Sequence, residues 1–273
     1  MVPRSKTSTS GPAVNRLFTL SSSKSPPLNA AAGPRHGTGK LAYRNELTRS
    51  ETLAAAWRDL LPKNVLVCAG PILEEHPALT NRERASAGPV GEERLRELKS
   101  GRFYAKRALA KLELNNVHIP IGSDRSPMWP RGVVGSLTHA RWRDGGHVAA
   151  AVGRASEFCG IGIDIEKEEG LHPSLWGHVL TTREFERVRT LPPPIRGGEV
   201  QLIWCAKEAF IKAIRRSIDP TEVEIERDAN SYGYPATWWA RTVGSSPSTL
   251  SWTGRSIRSS GFVLAAVSRD KAD

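Results

Sequence analysis

Two carboxylates set two positions apart in an apolar run are the first candidates for chemistry in this chain. Residues 160 to 166 read Gly-Ile-Gly-Ile-Asp-Ile-Glu. In a β-strand, residues i and i+2 point to the same face. Asp164 and Glu166 therefore project together, with Ile163 and Ile165 facing a core. Paired carboxylates beside buried surface repel each other unless a proton or a cation stands between them. A hard divalent cation meets that need, and Mg²⁺ is commonly held by one or two carboxylates with substrate phosphates completing its shell. The competing reading is an exposed edge strand that ends in solvated acids.

A third acid lies on a strong helical pattern from about Val200 to Arg216. Trp204, Glu208 and Lys212 are each four apart and share one face. As a surface pair, Glu208 and Lys212 would contribute only about 0.3–0.5 kcal/mol. Ile203, Trp204, Ala209, Phe210, Ile211 and Ile214 make this helix apolar nearly all round, which favours a buried or interfacial pair. Glu208 then offers a third carboxylate to Asp164 and Glu166, while Lys207 and Lys212 bring positive charge. Three acids with two lysines describe a metal–phosphate site.

Other anion-binding candidates surround this set. In Gly135-Ser-Leu-Thr-His139, a hydroxyl and an imidazole at a strand end suit a phosphate, although a lone His is more often structural. Ser136 lacks the Gly-x-Ser-x-Gly context of a hydrolase nucleophile. Arg125 sits in the Pro-bounded loop Asp124-Arg-Ser-Pro-Met-Trp-Pro130, whose Trp129 reads as core. Arg94 and Arg102 are eight apart, two helical turns, and so share a side. Guanidinium planes suit phosphate and adenine stacking, with a solvated basic face as the commoner alternative. Neither the Walker pattern nor the dinucleotide glycine pattern is present.

The elements that must position these residues follow from patterning. A short helix is expected over 51–61, and a longer one from Glu92 to about Leu114, opened by Glu92 and Glu93 as the helix dipole favours. Gly101 in that helix costs about 1 kcal/mol relative to Ala, which points to a break or a close backbone approach. Strands are expected at Val65–Ala69, Val133–Leu137, His147–Val152, Gly160–Glu166 and Phe262–Val267, with short strands carrying Trp238, Trp239, Leu250 and Trp252. A turn through Leu191–Pro194 precedes the Glu208 helix. Phe103-Tyr-Ala-Lys-Arg-Ala-Leu-Ala-Lys111 resembles Trp204-Cys-Ala-Lys-Glu-Ala-Phe-Ile-Lys212, with Arg107 in the first copy where the second has Glu208. Gly146-His-Val-Ala-Ala-Ala-Val-Gly-Arg154 likewise resembles Gly261-Phe-Val-Leu-Ala-Ala-Val-Ser-Arg269. Two matches in the same order indicate a duplicated unit, and duplicated halves pack about a pseudo-twofold with ligands at their interface.

The bulk numbers bound the setting. At 273 residues there is ample room for a core. A formal charge of +11 suits an anionic partner such as a polyphosphate ligand, an acidic protein, nucleic acid or a membrane surface. Cys68, Cys159 and Cys205 form no CxxC pair, which argues against a disulfide framework or zinc site and for a reducing compartment. With no apolar span and no leader, a cytoplasmic location is expected. Residues 1–42, rich in Ser, Pro, Gly and Thr, read as a disordered tail, followed by an N-terminal half over 43–157 and a C-terminal half over 158–273.

Taken together, Gly101-Arg102 with Ala105-Lys106, Arg125-Ser-Pro-Met-Trp-Pro130, Gly135–His139, Gly162-Ile-Asp-Ile-Glu166 and Trp204–Lys212 resemble the 4′-phosphopantetheinyl transferases of the Sfp/EntD-like group. The resemblance spans residues 80 to 216 and weakens after 220. It implies an α+β pseudo-dimer of two related halves, each with a small, mostly antiparallel sheet packed on a helix, and an active site in the cleft between them. It implies transfer of the phosphopantetheine arm of coenzyme A to a serine of an acidic acyl or peptidyl carrier protein, with release of adenosine 3′,5′-bisphosphate. Asp164, Glu166 and Glu208 would hold Mg²⁺ (or Mn²⁺). Glu208 would be the base, directly or through a metal-bound water, and Lys207 and Lys212 would stabilise the pyrophosphate. Arg94, Arg102, Lys106, Arg125, Thr138 and His139 would bind the nucleotide. A monomer that engages neither nucleic acid nor membrane is expected. The rivals are a Mg²⁺-dependent CoA pyrophosphohydrolase and a basic nucleic-acid-binding module using Trp238 and Trp239 near Arg241.

Overall fold

The computed structural model describes residues 38–72, 75, 77–142, 145–227, 235–243 and 250–271, with side chains from Thr48 onward. Most of the expected tail, 1–37, lies outside the described residues. The chain forms an α+β fold in the order α1 (Thr38–Leu60), β1 (Leu66–Pro71), α2 (Asn81–Ala87), α3 (Glu92–Ala110), β2 (Val133–Trp142), β3 (Gly145–Arg154) and β4 (Phe158–Lys167). It continues through α4 (Thr182–Thr190), α5 (Pro193–Ile214), β5 (Val223–Arg227), β6 (Ala236–Thr242), β7 (Ser251–Ser259) and β8 (Phe262–Asp270). Short 3₁₀ turns at Pro173–His178 and Pro220–Glu222 flank α4 and α5.

The strands form two antiparallel sheets, β1-β3-β2 and β4-β8-β7-β6-β5. Strands β3, β4 and β8 are buried on both faces, which explains their nearly continuous apolar runs, whereas β7 alternates exposed and buried residues. In β3, Val148, Ala150 and Val152 pack against α3 with Tyr104, Ala108 and Leu109. The alternate residues Ala149 and Ala151 turn to α1. In β4, Ile161, Ile163 and Ile165 also turn to α1, beside Leu264 and Ala266 of β8. The other face of β8, through Val263, Ala265 and Val267, packs on α5. One core under α1 thus runs across both sheets, joined by Leu53, Ala56, Trp57 and Leu60.

The seam between the sheets is made by side chains. The hydroxyl of Ser136 on β2 accepts from the Ile163 amide of β4 at 3.1 Å, and that of Thr138 accepts from the Ile165 amide at 3.2 Å. Period-two alternation sends Ser136 and Thr138 to this seam together.

Several elements depart from the sequence expectation. Helix α1 starts at Thr38, before residue 51 and inside the expected tail. Its extension is supported at Ser50, which is buried and bonds His147 Nδ1 at 3.0 Å. Pro193 and Pro194 belong to α5 and not to a turn before it, because the first turn of a helix needs no amide donor. Gly101 leaves α3 unbroken, and a Cβ there would first meet Leu137 Cδ2 at 3.9 Å. Of the residues named for a stacking platform, Trp238 is fully buried, Trp239 is exposed and Arg241 is bound to Glu224.

His147 links α1 to β3. Trp57 Nε1 donates to its Nε2 at 3.2 Å, which leaves Nδ1 to donate to Ser50. Burial pulls its pKa from 6.5 down to about 4. The imidazole is neutral in the fold and charges first in the unfolded chain. Its contribution is complete above the unfolded pKa and is lost as pH falls from about 6.5 towards 4, about 3 kcal/mol in all. Denaturant titrations across that window are expected to show this loss, and His147→Gln is expected to flatten it while lowering stability near pH 7.

A second prediction concerns β4. A Cβ on Gly162 would lie 1.8 Å from the Ala209 carbonyl oxygen, and one on Gly160 2.3 Å from that of Ala213. Backbone cannot yield as a side chain does, so Gly162→Ala is expected to cost upwards of about 3 kcal/mol in chemical denaturation.

Candidate active site

The four alternate residues Gly160, Gly162, Asp164 and Glu166 all face α5. The two glycines admit the helix backbone against the strand. The two acids follow where the helix presents Trp204, Glu208 and Lys212. Lys212 Nζ donates to Asp164 Oδ1 at 2.6 Å, and Trp204 Nε1 donates to Glu166 Oε1 at 2.9 Å. Thr138 Oγ1 donates to the same Asp164 Oδ1 at 3.1 Å, which ties the set to β2. Asp164 and Glu208 are buried, while Glu166 and Lys212 are half-buried.

The electrostatics are those of an under-neutralised acid cluster. Burial, and then the Asp164 charge, push Glu166 up to about 8 against the pull of Trp204 and Lys212. Burial and Asp164 also raise Glu208, to about 7, with Lys212 opposing. Burial alone would lower Lys212, but Asp164, Glu208 and Glu166 together hold its pKa above the ordinary lysine value. Asp164 Oδ2 is buried and has no hydrogen-bond partner. An orphaned carboxylate oxygen amid three acids and one ammonium fits a hard cation. Among the described residues no group of three or more His, Cys, Asp or Glu closes into a ready-made metal cage.

Two of the expected cofactor-binding lysines are engaged elsewhere. Lys207 is fully buried and donates to Glu184 Oε2 at 2.5 Å, the Val179 carbonyl at 2.6 Å and the Pro220 carbonyl at 2.9 Å. It lies about 100° around α5 from Glu208, which turns it away from the carboxylates. Glu184 also accepts from the amides of Thr181, in a capping box, and of Ile225. Lys106 makes the corresponding contact in the other half, donating to Glu83 Oε2 at 2.9 Å. Glu83 accepts from the amides of Thr80, in a capping box, and of Ile119. Lys106 and Lys207 hold the same place in the repeated segment, so the repetition marks a structural knot. Helical spacing placed Lys212, four residues on, with Glu208, and it could not show that Lys207 is taken up by Glu184.

The remaining expected residues divide between two places. Arg102 is buried and donates from Nε to the Ile119 carbonyl at 2.5 Å. It lines a pocket of about 280 Å³ with Lys99, Phe103, Lys106 and Leu79. Arg94 and His139 meet at Glu97, with Arg94 Nη1 at 3.0 Å and His139 Nε2 at 3.1 Å from its Oε2. Thr138 and His139 therefore face opposite sides of β2, one to Asp164 and one to α3. Arg125 is exposed, at φ 64°, in a turn tied to the end of α5 by Arg215 Nη2 donating to Ser126 Oγ at 3.3 Å. Glu97 carried no sequence signal beyond a helical position, whereas Glu83 stands at the capping-box spacing from Thr80.

Comparison with known proteins agrees with this arrangement. Residues 83–153 match the 4′-phosphopantetheinyl transferase N-terminal domain, and residues 160–267 match the 4′-phosphopantetheinyl transferase superfamily. The 4′-phosphopantetheinyl transferase Npt of Nocardia iowensis is 34% identical over 209 residues, covering 71% of this chain and 89% of that protein. PptT of Mycobacterium tuberculosis is 29% identical over 180 residues, covering 60% of this chain and 77% of its own. Svp of Streptomyces mobaraensis is 30% identical over 159 residues, covering 55% and 62% respectively. All three carry the name 4′-phosphopantetheinyl transferase, and the pyrophosphohydrolase and nucleic-acid readings find no support among them. With both family matches falling on either side of the β2–β4 seam, this chain belongs to the 4′-phosphopantetheinyl transferase superfamily.

Proposed function

We propose that the chain transfers the 4′-phosphopantetheine arm of coenzyme A to a serine hydroxyl of an acyl or peptidyl carrier protein. The observation that carries this reading is the joining of Asp164, Glu166, Glu208 and Lys212 where α5 crosses β4. Asp164, Glu166 and Glu208 are the residues that would hold a divalent ion, taken to be Mg²⁺, which when bound neutralises pyrophosphate charge. Attack on a phosphoryl group needs charge neutralisation and in-line positioning more than covalent help.

In the step itself, the serine oxygen forms a bond to the pantetheine-side phosphorus of the coenzyme A pyrophosphate. The bond from that phosphorus to the bridging oxygen breaks. The bridging oxygen leaves with adenosine 3′,5′-bisphosphate, and the serine proton passes to the Glu208 carboxylate. Lys212, fixed by Asp164, meets the charge that gathers on the leaving oxygen. Thr138 holds Asp164 in place and ties it to the half that receives the nucleotide. Arg94, Arg102, His139 and Arg125 lie on that half and supply its cationic lining. The pseudo-dimeric arrangement is part of the same proposal, supported by the matched Lys106–Glu83 and Lys207–Glu184 knots. An acidic carrier suits the basic chain. No helix of the described residues is long and apolar enough to cross a membrane.

The test is intact-mass analysis of an apo carrier protein incubated with coenzyme A and Mg²⁺. One added phosphopantetheine arm is the expected result, and release of free phosphopantetheine without carrier labelling would reject it. Glu208→Gln is expected to leave folding intact and lower kcat by about 10²-fold or more, since general base catalysis of this kind contributes about 10²–10⁴. A variant that labels carrier at a near-normal rate would remove Glu208 from the mechanism. Lys212→Ala and Lys207→Ala are expected to part company. The first should depress kcat with a small change in melting temperature. The second should cost about 3–5 kcal/mol of stability, because it leaves Glu184 buried and unpaired.

A further inference from the structure

Trp204 has a counterpart in the first half of the chain that lacks its one polar atom. Trp204 and Phe103 open the two repeated helical segments. Gly70 and Glu166 correspond in the same way. Gly70 of β1 stands opposite Val148 of β3, Glu166 of β4 stands opposite Val263 of β8, and Val148 and Val263 share a place in the repeated strands. The half with an acid at this position thus has an indole N–H beside it, and the half with a glycine has a phenyl ring. Both rings are half-buried, and each packs on the core of its own half. Packing therefore calls for an aromatic ring at either place, whereas only Glu166 calls for a donor. The Trp204 indole donates to Glu166 Oε1 at 2.9 Å, and among the described residues no other hydrogen bond holds that carboxylate. Indole nitrogen is a donor only, so its one bond fixes the side chain it meets without bringing charge.

We propose that Trp204 is a positioning residue that holds Glu166 to coordination through one oxygen and so sets the preference of the site for a small divalent cation over Ca²⁺. This rests on the transferase reading, which gives Asp164, Glu166 and Glu208 to a divalent ion. With Oε1 bound to the indole, Glu166 offers a cation Oε2 alone. Mg²⁺ demands near-octahedral geometry at about 2.0–2.1 Å and is served by single carboxylate oxygens. Ca²⁺ takes about six to eight oxygens at about 2.3–2.6 Å and readily uses both oxygens of one carboxylate. Freed of the indole, Glu166 can present both oxygens and meet the demand of the larger ion. Trp204 acts through Glu166 and touches neither the ion nor the substrate. Partners of this kind, one step behind a metal ligand, typically change metal affinity by about 10–100-fold.

The test is titration of the full chain with Mn²⁺ in the presence of coenzyme A, with free Mn²⁺ read by electron paramagnetic resonance, followed by displacement with Mg²⁺ or Ca²⁺. The wild type is expected to bind Mn²⁺ and to release it more readily to Mg²⁺ than to Ca²⁺. Trp204→Phe installs the ring that position 103 already carries. It is expected to weaken Mn²⁺ binding about tenfold or more and to narrow the preference for Mg²⁺ over Ca²⁺. Trp204→Met fills the space without a donor and should do the same, so the result does not hang on one variant folding. In a Glu166→Gln background, Trp204→Phe should add little. A purely structural role would weaken Mg²⁺ and Ca²⁺ alike and leave their ratio unmoved, which would overturn the proposal. Full additivity of the two substitutions would overturn it too, because Trp204 would then act by another route. A wild type that binds no Mn²⁺, or takes Ca²⁺ as readily as Mg²⁺, would reject it outright. A wild type with the expected preference, variants that shift it and no carrier labelling would sink the transferase reading and leave the role of Trp204 standing.

Discussion

The approach of α5 to β4 governs this molecule. Gly160 and Gly162 present no side chain towards the helix, and its carbonyls at Ala209 and Ala213 take up the space a Cβ would need. From that contact the geometry of the site follows. The next two residues on the same strand face, Asp164 and Glu166, reach the helix where it carries Trp204, Glu208 and Lys212. A looser crossing would separate the acids and let water screen them. Held tight, they raise one another's proton affinity and create a demand for positive charge that Lys212 meets only in part.

Such a crossing must be held in rotation as well as in distance. The buried Lys207–Glu184 pair does this from behind, binding α5 to the carbonyls of Val179 and Pro220 and to the cap of α4. Breaking a buried pair of this kind is costly because it strands a charge. The same device recurs between Lys106 of α3 and Glu83 of α2, with its own capping box and its own strand-side amide at Ile119. Each half therefore clamps its principal helix by the same chemistry. Only the second half carries Glu208 at the position Arg107 takes in the first. In the first half Arg107 lies over the Phe103 ring, and the acid is absent.

The halves meet through hydroxyls. Ser136 and Thr138 satisfy amides on the β4 edge that would otherwise face an unpaired strand. Thr138 does more, since its proton goes to Asp164. The seam between the sheets and the carboxylate cluster therefore share an atom, and the β1-β3-β2 sheet is coupled to that cluster through one side chain.

Much of the site was legible from spacing. The period of two in Gly160–Glu166 put Asp164 and Glu166 on one face, and the period of 3.6 put Trp204, Glu208 and Lys212 on one face. The repeat identified the lysines that recur, and local physics suffices for all of these because each relation lies within one element. The partners were beyond its reach. What Lys207 binds depends on what packs on the other side of α5, and Glu184 comes from 23 residues earlier. Likewise Thr138 and His139 are neighbours in sequence yet serve opposite faces of β2. Ser50, inside α1, finds His147 at a separation of 97 residues. The sequence by itself determined which residue types could hold a metal and a phosphate, and along which faces they lie. Only the tertiary structure decided which charges are spent on holding helices and which remain for a ligand, because burial and partner choice are set by contacts between elements distant in the chain.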